Sequence, residues 1–135
     1  MKRSEIRERT FIILFQRDFN YEFIQDIDYY LTREGLKDAD ADYARQTILG
    51  TIEHLEEIDK LISKYLVNWN FDRLNKTDIS VLRLAIYEMM YSQDVPDKVA
   101  INEAIELAKK YNGDVAGVFV NGLLDNIYKN EKKHK

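Results

Sequence analysis

The feature that most constrains this chain is how few of its residues interrupt a helix. Across 135 residues there is one proline, Pro96, and there are five glycines. The stretches between them are rich in Glu, Lys, Leu and Ile, residues that form helices readily. No segment alternates apolar and polar residues between turn signals, as a half-buried strand would. The chain is therefore expected to be all-α. Its 45% apolar content is enough for a packed core, and its length suits one domain.

Apolar residues recurring every three or four positions mark the helices. The first is expected over 4–17, with Ile6, Thr10, Ile13 and Leu14 on one stripe and Phe11, Ile12 and Phe15 partly outside it. A second, over 21–34, should stop at Gly35, a suitable left-handed C-terminal residue. A third, over 40–66, carries Ile48, Ile52, Leu55, Ile58, Ile62 and Leu66 in alternating steps of four and three, the pattern of a bundle seam. Residues 67–77 break this pattern. They are expected to link an N-terminal helical half, about 1–66, to a C-terminal half, about 78–130, within a single domain of 1–135. Trp69 and Phe71 should fill the gap between the halves. The C-terminal half reads as helices over 78–92, from Pro96 to 111, and over 114–128. Thr77 or Asp78 is expected to cap the first of these. Asn112-Gly113 should stop the second and Asp114 cap the third, which should bury Val115, Phe119, Leu123 and Ile127.

Little in the chain suggests chemistry. Cysteine is absent, which excludes disulfides and thiol catalysis. His54 and His134 are far apart, and a di-iron bundle needs Glu-x-x-His motifs on facing helices, so Glu103 and Glu106 are not read as metal ligands. Glu53, Glu56 and Glu57 read as a solvated helix face. There is no phosphate-cradling glycine loop and no Gly-x-Ser-x-Gly elbow. No enzyme activity, cofactor or metal is expected. No apolar run approaches the ~18 residues of a membrane span, and the first ten residues do not resemble a secretory signal. A cytoplasmic location is the expectation.

Charge is unevenly distributed. The net charge is −4, but residues 18–59 hold twelve acids and three bases, a local net of −9 that leaves +5 elsewhere. Lys2, Arg3, Arg7 and Arg9 crowd the start, and Lys129, Lys132, Lys133 and Lys135 the end. Arg3 and Arg7, four apart, share a helix face. Arginine forks suit phosphates, and aromatic rings suit unpaired bases. The start of the first helix is therefore a candidate nucleic-acid surface, although Glu5 and Glu8 dilute it.

Four stretches of the chain carry motif-like patterns. Val95-Pro96-Asp97-Lys98-Val99-Ala100-Ile101-Asn102-Glu103-Ala104-Ile105-Glu106-Leu107-Ala108-Lys109 closely resembles the VP-x-KVAINEA-[IV]-ELAK signature of the NusB family. Phe119-Val120-Asn121-Gly122-Leu123-Leu124-Asp125 is similar to its FVNG-[VL]-LD. Val81-Leu82-Arg83-Leu84-Ala85-Ile86-Tyr87-Glu88 looks like its LR-[LI]-A-x-YE helix. Arg7-Glu8 and Leu14-Phe15-Gln16 resemble its ARE…LYQ start. Physically, Ala100, Ala104 and Ala108 allow close helix approach. Gly122 is expected at a tight crossing, and Asn102 and Asn121 as a buried hydrogen-bonded pair.

The resemblance implies a helical bundle of two packed three-helix subdomains. It also implies a transcription antitermination factor that binds boxA-type single-stranded RNA of ribosomal RNA leader transcripts. Binding would be as a heterodimer with NusE, a small-subunit ribosomal protein, within an elongating RNA polymerase complex containing other Nus factors. By position, Lys2, Arg3 and Arg7 fall on the family's arginine-rich RNA-binding segment and Phe119 on an RNA-facing aromatic. Phe15 and Asp78 fall on positions associated with the ribosomal partner. Ser4 and Glu5 stand where many relatives carry arginine, and Val118 where some carry lysine, which implies weaker RNA binding without the partner. The alternative is a helical protein–protein adaptor with no RNA contacts of its own. Exposed Phe11 or Phe15 would also permit a homodimer.

Overall fold

A computed structural model describes residues 1–17, 23–68 and 70–132. Trp69, Lys133, His134, Lys135 and the first residues of the expected second helix lie outside the described residues. Seven α-helices occur among the described residues: α1 (Arg3–Arg17), α2 (Ile27–Arg33), α3 (Asp38–Glu53), α4 (Leu55–Tyr65), α5 (Lys76–Met90), α6 (Asp97–Asn112) and α7 (Asp114–Ile127). Short 3₁₀ turns precede α2 and α5, and a π-type turn, Tyr128–Lys132, follows α7. The chain is all-α, as its scarcity of breakers required.

Helix α5 is the axis of the molecule. Eleven of its fifteen residues are buried, among them Val81, Leu82, Ala85, Ile86 and Met89, and it packs against α1, α3, α4, α6 and α7. A helix apolar on nearly every face has to be enclosed, and its neighbours supply Ile13, Ile48, Ile58, Ile62, Ala104, Ala108, Val120 and Leu124 to the same cluster. α6 and α7 form an antiparallel pair around the small residues Ala104, Ala108 and Ala116. The link before α5 holds Phe71, half-buried against the core beneath the Arg83 guanidinium at 5.9 Å. Arg83 also donates two 2.9 Å bonds to Asp59, tying α5 to α4.

The helix stops follow local chemistry. Gly35, at φ 77°, closes α2 as expected. Its N–H donates to Thr32 O, and the Leu36 N–H to Leu31 O, the paired bonds of a Schellman motif. Gly113, at φ 91°, separates α6 from α7.

Several expectations need correction. The long helix over 40–66 is two helices broken at His54 (φ −101°, ψ 17°). The stripe survives because a one-residue break barely changes its phase. The His54 ring stacks on Tyr91 at 3.8 Å, and the break bends the chain around α5. Asn75, rather than Thr77 or Asp78, caps α5, its Oδ1 accepting from the Thr77 and Asp78 N–H groups. Asp114 lies in the first turn of α7, and Gly113 holds the cap position. Val115 is 84% exposed instead of buried. Asn102 and Asn121 are both exposed and do not form a buried pair. Phe11 is 3% exposed and packs on Tyr111 at 5.1 Å, so it cannot serve as an exposed docking residue.

Gly122 is not at a tight crossing, since a Cβ there would meet nothing within 4 Å. The close approach is at Gly50, where a Cβ would lie 2.3 Å from the Tyr87 ring. Gly50→Ala should therefore destabilise the fold by about 1–3 kcal/mol through overpacking. Gly122→Ala should stabilise it by up to about 1 kcal/mol through helix propensity. Urea unfolding of the two variants, read by far-ultraviolet circular dichroism, should show midpoint shifts of opposite sign.

Candidate RNA and partner surface

The start of α1 is organised around a buried ion pair. Arg7 Nε donates to Glu88 Oε1 at 2.7 Å, and Arg7 Nη2 to Glu88 Oε2 at 3.1 Å. The two side chains are 3% and 1% exposed. Tyr43 Oη donates to Glu88 Oε2 at 2.6 Å. Arg7 Nη1 has no aligned hydrogen-bond acceptor but lies 3.3 Å from Glu103 Oε1, which also accepts from Ser4 Oγ at 2.8 Å. The network joins α1, α3, α5 and α6. Burial opposes the Arg7 charge, but the bonds and field of Glu88, with Tyr43 and Glu103, outweigh it and raise the guanidinium pKa. Burial, reinforced by Glu88, pushes the Tyr43 phenol well above its ordinary range, so it remains a donor.

Arg7, expected among the RNA contacts, is 3% exposed and engaged by carboxylates, so its charge is met inside the fold. Arg9 faces Glu34 at 3.3 Å. Glu8 is held by Lys110 at 2.7 Å and by Tyr111. Burial raises the Glu8 pKa, but these bonds lower it further. Burial and the same contact with Glu8 push Tyr111 up to about 12. At the other end Lys129 pairs with Asp125 at 2.9 Å. Lys132 pairs with Asp97 at 2.9 Å and donates to Met89 O at 2.7 Å. Lys2 and Arg3 are exposed, and Arg9 keeps a 43% exposed side chain although it faces Glu34.

Arg3 does not simply extend into solvent. Its guanidinium lies over the Tyr43 ring, 4.1 Å from the centroid. The two side chains line a cavity of 440 Å³ with Arg7, Asp42, Gln46, Asp94, Val95, Pro96 and Val99. Sequence reading missed Tyr43. Spacing along α3 cannot reveal a hydrogen-bond partner 45 residues away.

A second cavity, 410 Å³, lies where the start of α5 meets the start of α7. Asp78 and Phe119 both line it, with Arg73, Leu74, Asn75, Asn112, Val115 and Ala116. The two residues had been assigned to different ligands, yet they share one cavity. Asp78 is 8% exposed, and its carboxylate receives only long 3.4 Å bonds from Asn112 Nδ2. Burial raises its pKa, and Asn112 only partly offsets this. Phe15 is half-buried, 6.5 Å from the Phe11 ring, and does not line either cavity.

Residues 4–129 match the model of the NusB family. The chain belongs to the NusB family. It is 46% identical over 128 residues to the transcription antitermination protein NusB of Bacillus velezensis, covering 94% of this chain and 95% of that protein. Its fold is similar to that of T. maritima NusB, with a TM-score of 0.87, 41% identity, and 96% and 92% of the two chains covered. It is also similar to a chain in the crystal structure of antitermination factors NusB and NusE in complex with dsRNA. There the TM-score is 0.84 at 31% identity, covering 94% of this chain and 96% of that one. Within the NusB-family motifs, Glu88 closes the buried network, while the exposed Asn102, Asn121 and Gly122 are not required by internal packing.

Glu88→Gln leaves the buried Arg7 charge with only the half-buried Glu103 as counter-ion and should cost about 3 kcal/mol. The double variant Arg7→Met/Glu88→Leu should lose much less, as denaturant melts of the two will show. Asp78 gives a pH signature. Its folded pKa lies above that of an exposed aspartate, so its proton is bound more tightly in the folded chain. Its favourable contribution is complete below the ordinary aspartate range and is lost as pH rises through the folded pKa. Asp78→Asn should therefore raise the melting temperature at pH 7 and leave it nearly unchanged at pH 3.

Proposed function

We propose that this chain is a transcription antitermination factor that binds boxA-type RNA of ribosomal RNA leader transcripts together with NusE. In this reading it joins the elongating RNA polymerase complex with other Nus factors, in the cytoplasm, as an adaptor rather than an enzyme. The observation that carries the reading is its likeness, over nearly its whole length, to a chain of the NusB–NusE–dsRNA complex and to proteins named for antitermination. The shared cavity of Asp78 and Phe119 supports it further, because a partner and an RNA that meet at one place can bind jointly. In this reading Phe119 offers a half-buried ring to a base, and Asp78 offers a desolvated carboxylate to a cationic group of the ribosomal partner. Phe15 borders the partner, Lys2 meets phosphates, and Arg3 meets the RNA beside it. Arg7 acts through Glu88 and Tyr43, as a positioning residue.

With Arg7 buried against Glu88 and Arg9 facing Glu34, the chain alone should bind RNA weakly. A gel shift with boxA RNA at stated salt, with and without purified NusE, tests this. The log-affinity against log-salt slope for the chain alone should be shallow, about −1 to −2 for one to three phosphate contacts on a single strand. NusE should tighten binding and steepen the slope. Failure to bind boxA RNA in preference to a scrambled sequence, even with NusE, rules the reading out.

A further inference from the structure

The cavity under Arg3 carries chemistry that phosphate binding does not account for. It lies between the start of α1, the first turns of α3 and the loop before α6. Arg3 stands over Tyr43, whose ring is held from beneath by the Glu88 bond and by Arg7, 6.0 Å from its centroid. The Arg3 guanidinium is thus a fixed plane with a supported inner side, and Arg3 is itself exposed. Two carboxylates, Asp42 and Asp94, line the same cavity with the Gln46 amide, and Val95, Pro96 and Val99 supply apolar walls. All three polar side chains are exposed at the rim. Asp42 Oδ1 also faces Arg45 at 3.4 Å, which leaves its second oxygen and the Asp94 carboxylate to oppose a phosphate entering here. A neutral, flat group with N–H donors along one edge meets acceptors on that edge and a cationic plane on its face.

We infer that this cavity is a subsite for one unpaired nucleobase, stacked on Arg3 and read along its edge by Asp42, Asp94 and Gln46, and that it selects guanine. Guanine presents adjacent N1–H and N2–H₂ donors on its pairing edge, and a carboxylate accepts both at once. Adenine and cytosine offer one amino group beside an acceptor nitrogen, which a carboxylate repels. A volume of 440 Å³ accommodates a purine nucleoside. Unpaired bases are commonly held by an arginine plane or aromatic ring together with hydrogen bonds to this edge. The inference rests on the RNA-binding reading above and adds a base, and a location, to it.

Two sets of conservative surface changes separate base recognition from phosphate attraction. Guanosine, cytidine and inorganic phosphate are titrated into the full chain, followed by the Gln46 side-chain amide and the Val99 methyl resonances. Guanosine should bind about tenfold more tightly than cytidine. Arg3→Lys keeps the charge but loses the plane and should weaken guanosine binding about tenfold. Asp42→Asn/Asp94→Asn should weaken guanosine binding as well. A phosphate site gives the reverse: Arg3→Lys retains binding, the double amide variant tightens it, and phosphate shifts the reporters at lower concentration than guanosine. Any of these results, or no saturable response to guanosine, overturns the inference. Binding of boxA RNA with NusE is measured on the same preparations. RNA retained without a guanosine response removes the subsite alone, whereas loss of all RNA binding by the unaltered chain removes the functional reading.

Discussion

The pairing of Arg7 with Glu88 is the constraint on which the rest of this structure depends. It joins residues 81 positions apart and sets the first helix against the central one. A buried ion pair is weak evidence for net stability, because desolvating two charges costs several kcal/mol before they attract. Its effect is on geometry. Two parallel bonds from a planar guanidinium allow little rotation of α1 about its own axis. With that rotation fixed, Ile6, Thr10 and Ile13 point into the core and Lys2 and Arg3 point out. The second Glu88 oxygen also accepts from Tyr43, so the orientation of α1 and the platform beneath Arg3 are set by one carboxylate.

The fold was largely legible because helix periodicity reports burial directly. Sparse breakers gave the class, and the Ile48–Ile58–Ile62 stripe marked residues that are fully buried. What periodicity could not report was a change that preserves phase. The break at His54 keeps the stripe in register, and the ring it stacks on, Tyr91 just past the end of α5, lies far along the chain. Val115 shows the complementary failure. It falls on the apolar side of α7 by spacing, yet it is 84% exposed while the next residue, Ala116, is buried.

The site was less legible, for an electrostatic reason. A run of arginines looks the same in sequence whether each is free or neutralised. Arg7 and Arg9 are matched by Glu88, Glu103 and Glu34, acids that lie 25 to 96 residues away in the chain. Only tertiary structure brings them together. The acids that dilute the patch locally matter less than expected: Glu8 is turned aside by Lys110 and Tyr111. The motifs identified the family correctly, yet their exposed members, Asn102, Asn121 and Gly122, mark positions that core packing leaves unconstrained.

Asp78 shows how the second cavity stands apart energetically from the first. It sits in the first turn of α5, where the helix dipole favours a negative charge by about 0.3–1 kcal/mol. Its pKa is nevertheless raised, so desolvation outweighs both the dipole and the long bonds from Asn112. The cap bonds belong to Asn75, and helix α5 does not need the Asp78 carboxylate to begin. A charge held at a net disadvantage in the isolated fold gains most from a cation brought to it from outside. The Arg7 charge has the opposite character, since its counter-ions are all internal. The two buried charges thus divide the labour: one fixes the bundle, and the other leaves an electrostatic demand that the bundle alone does not meet.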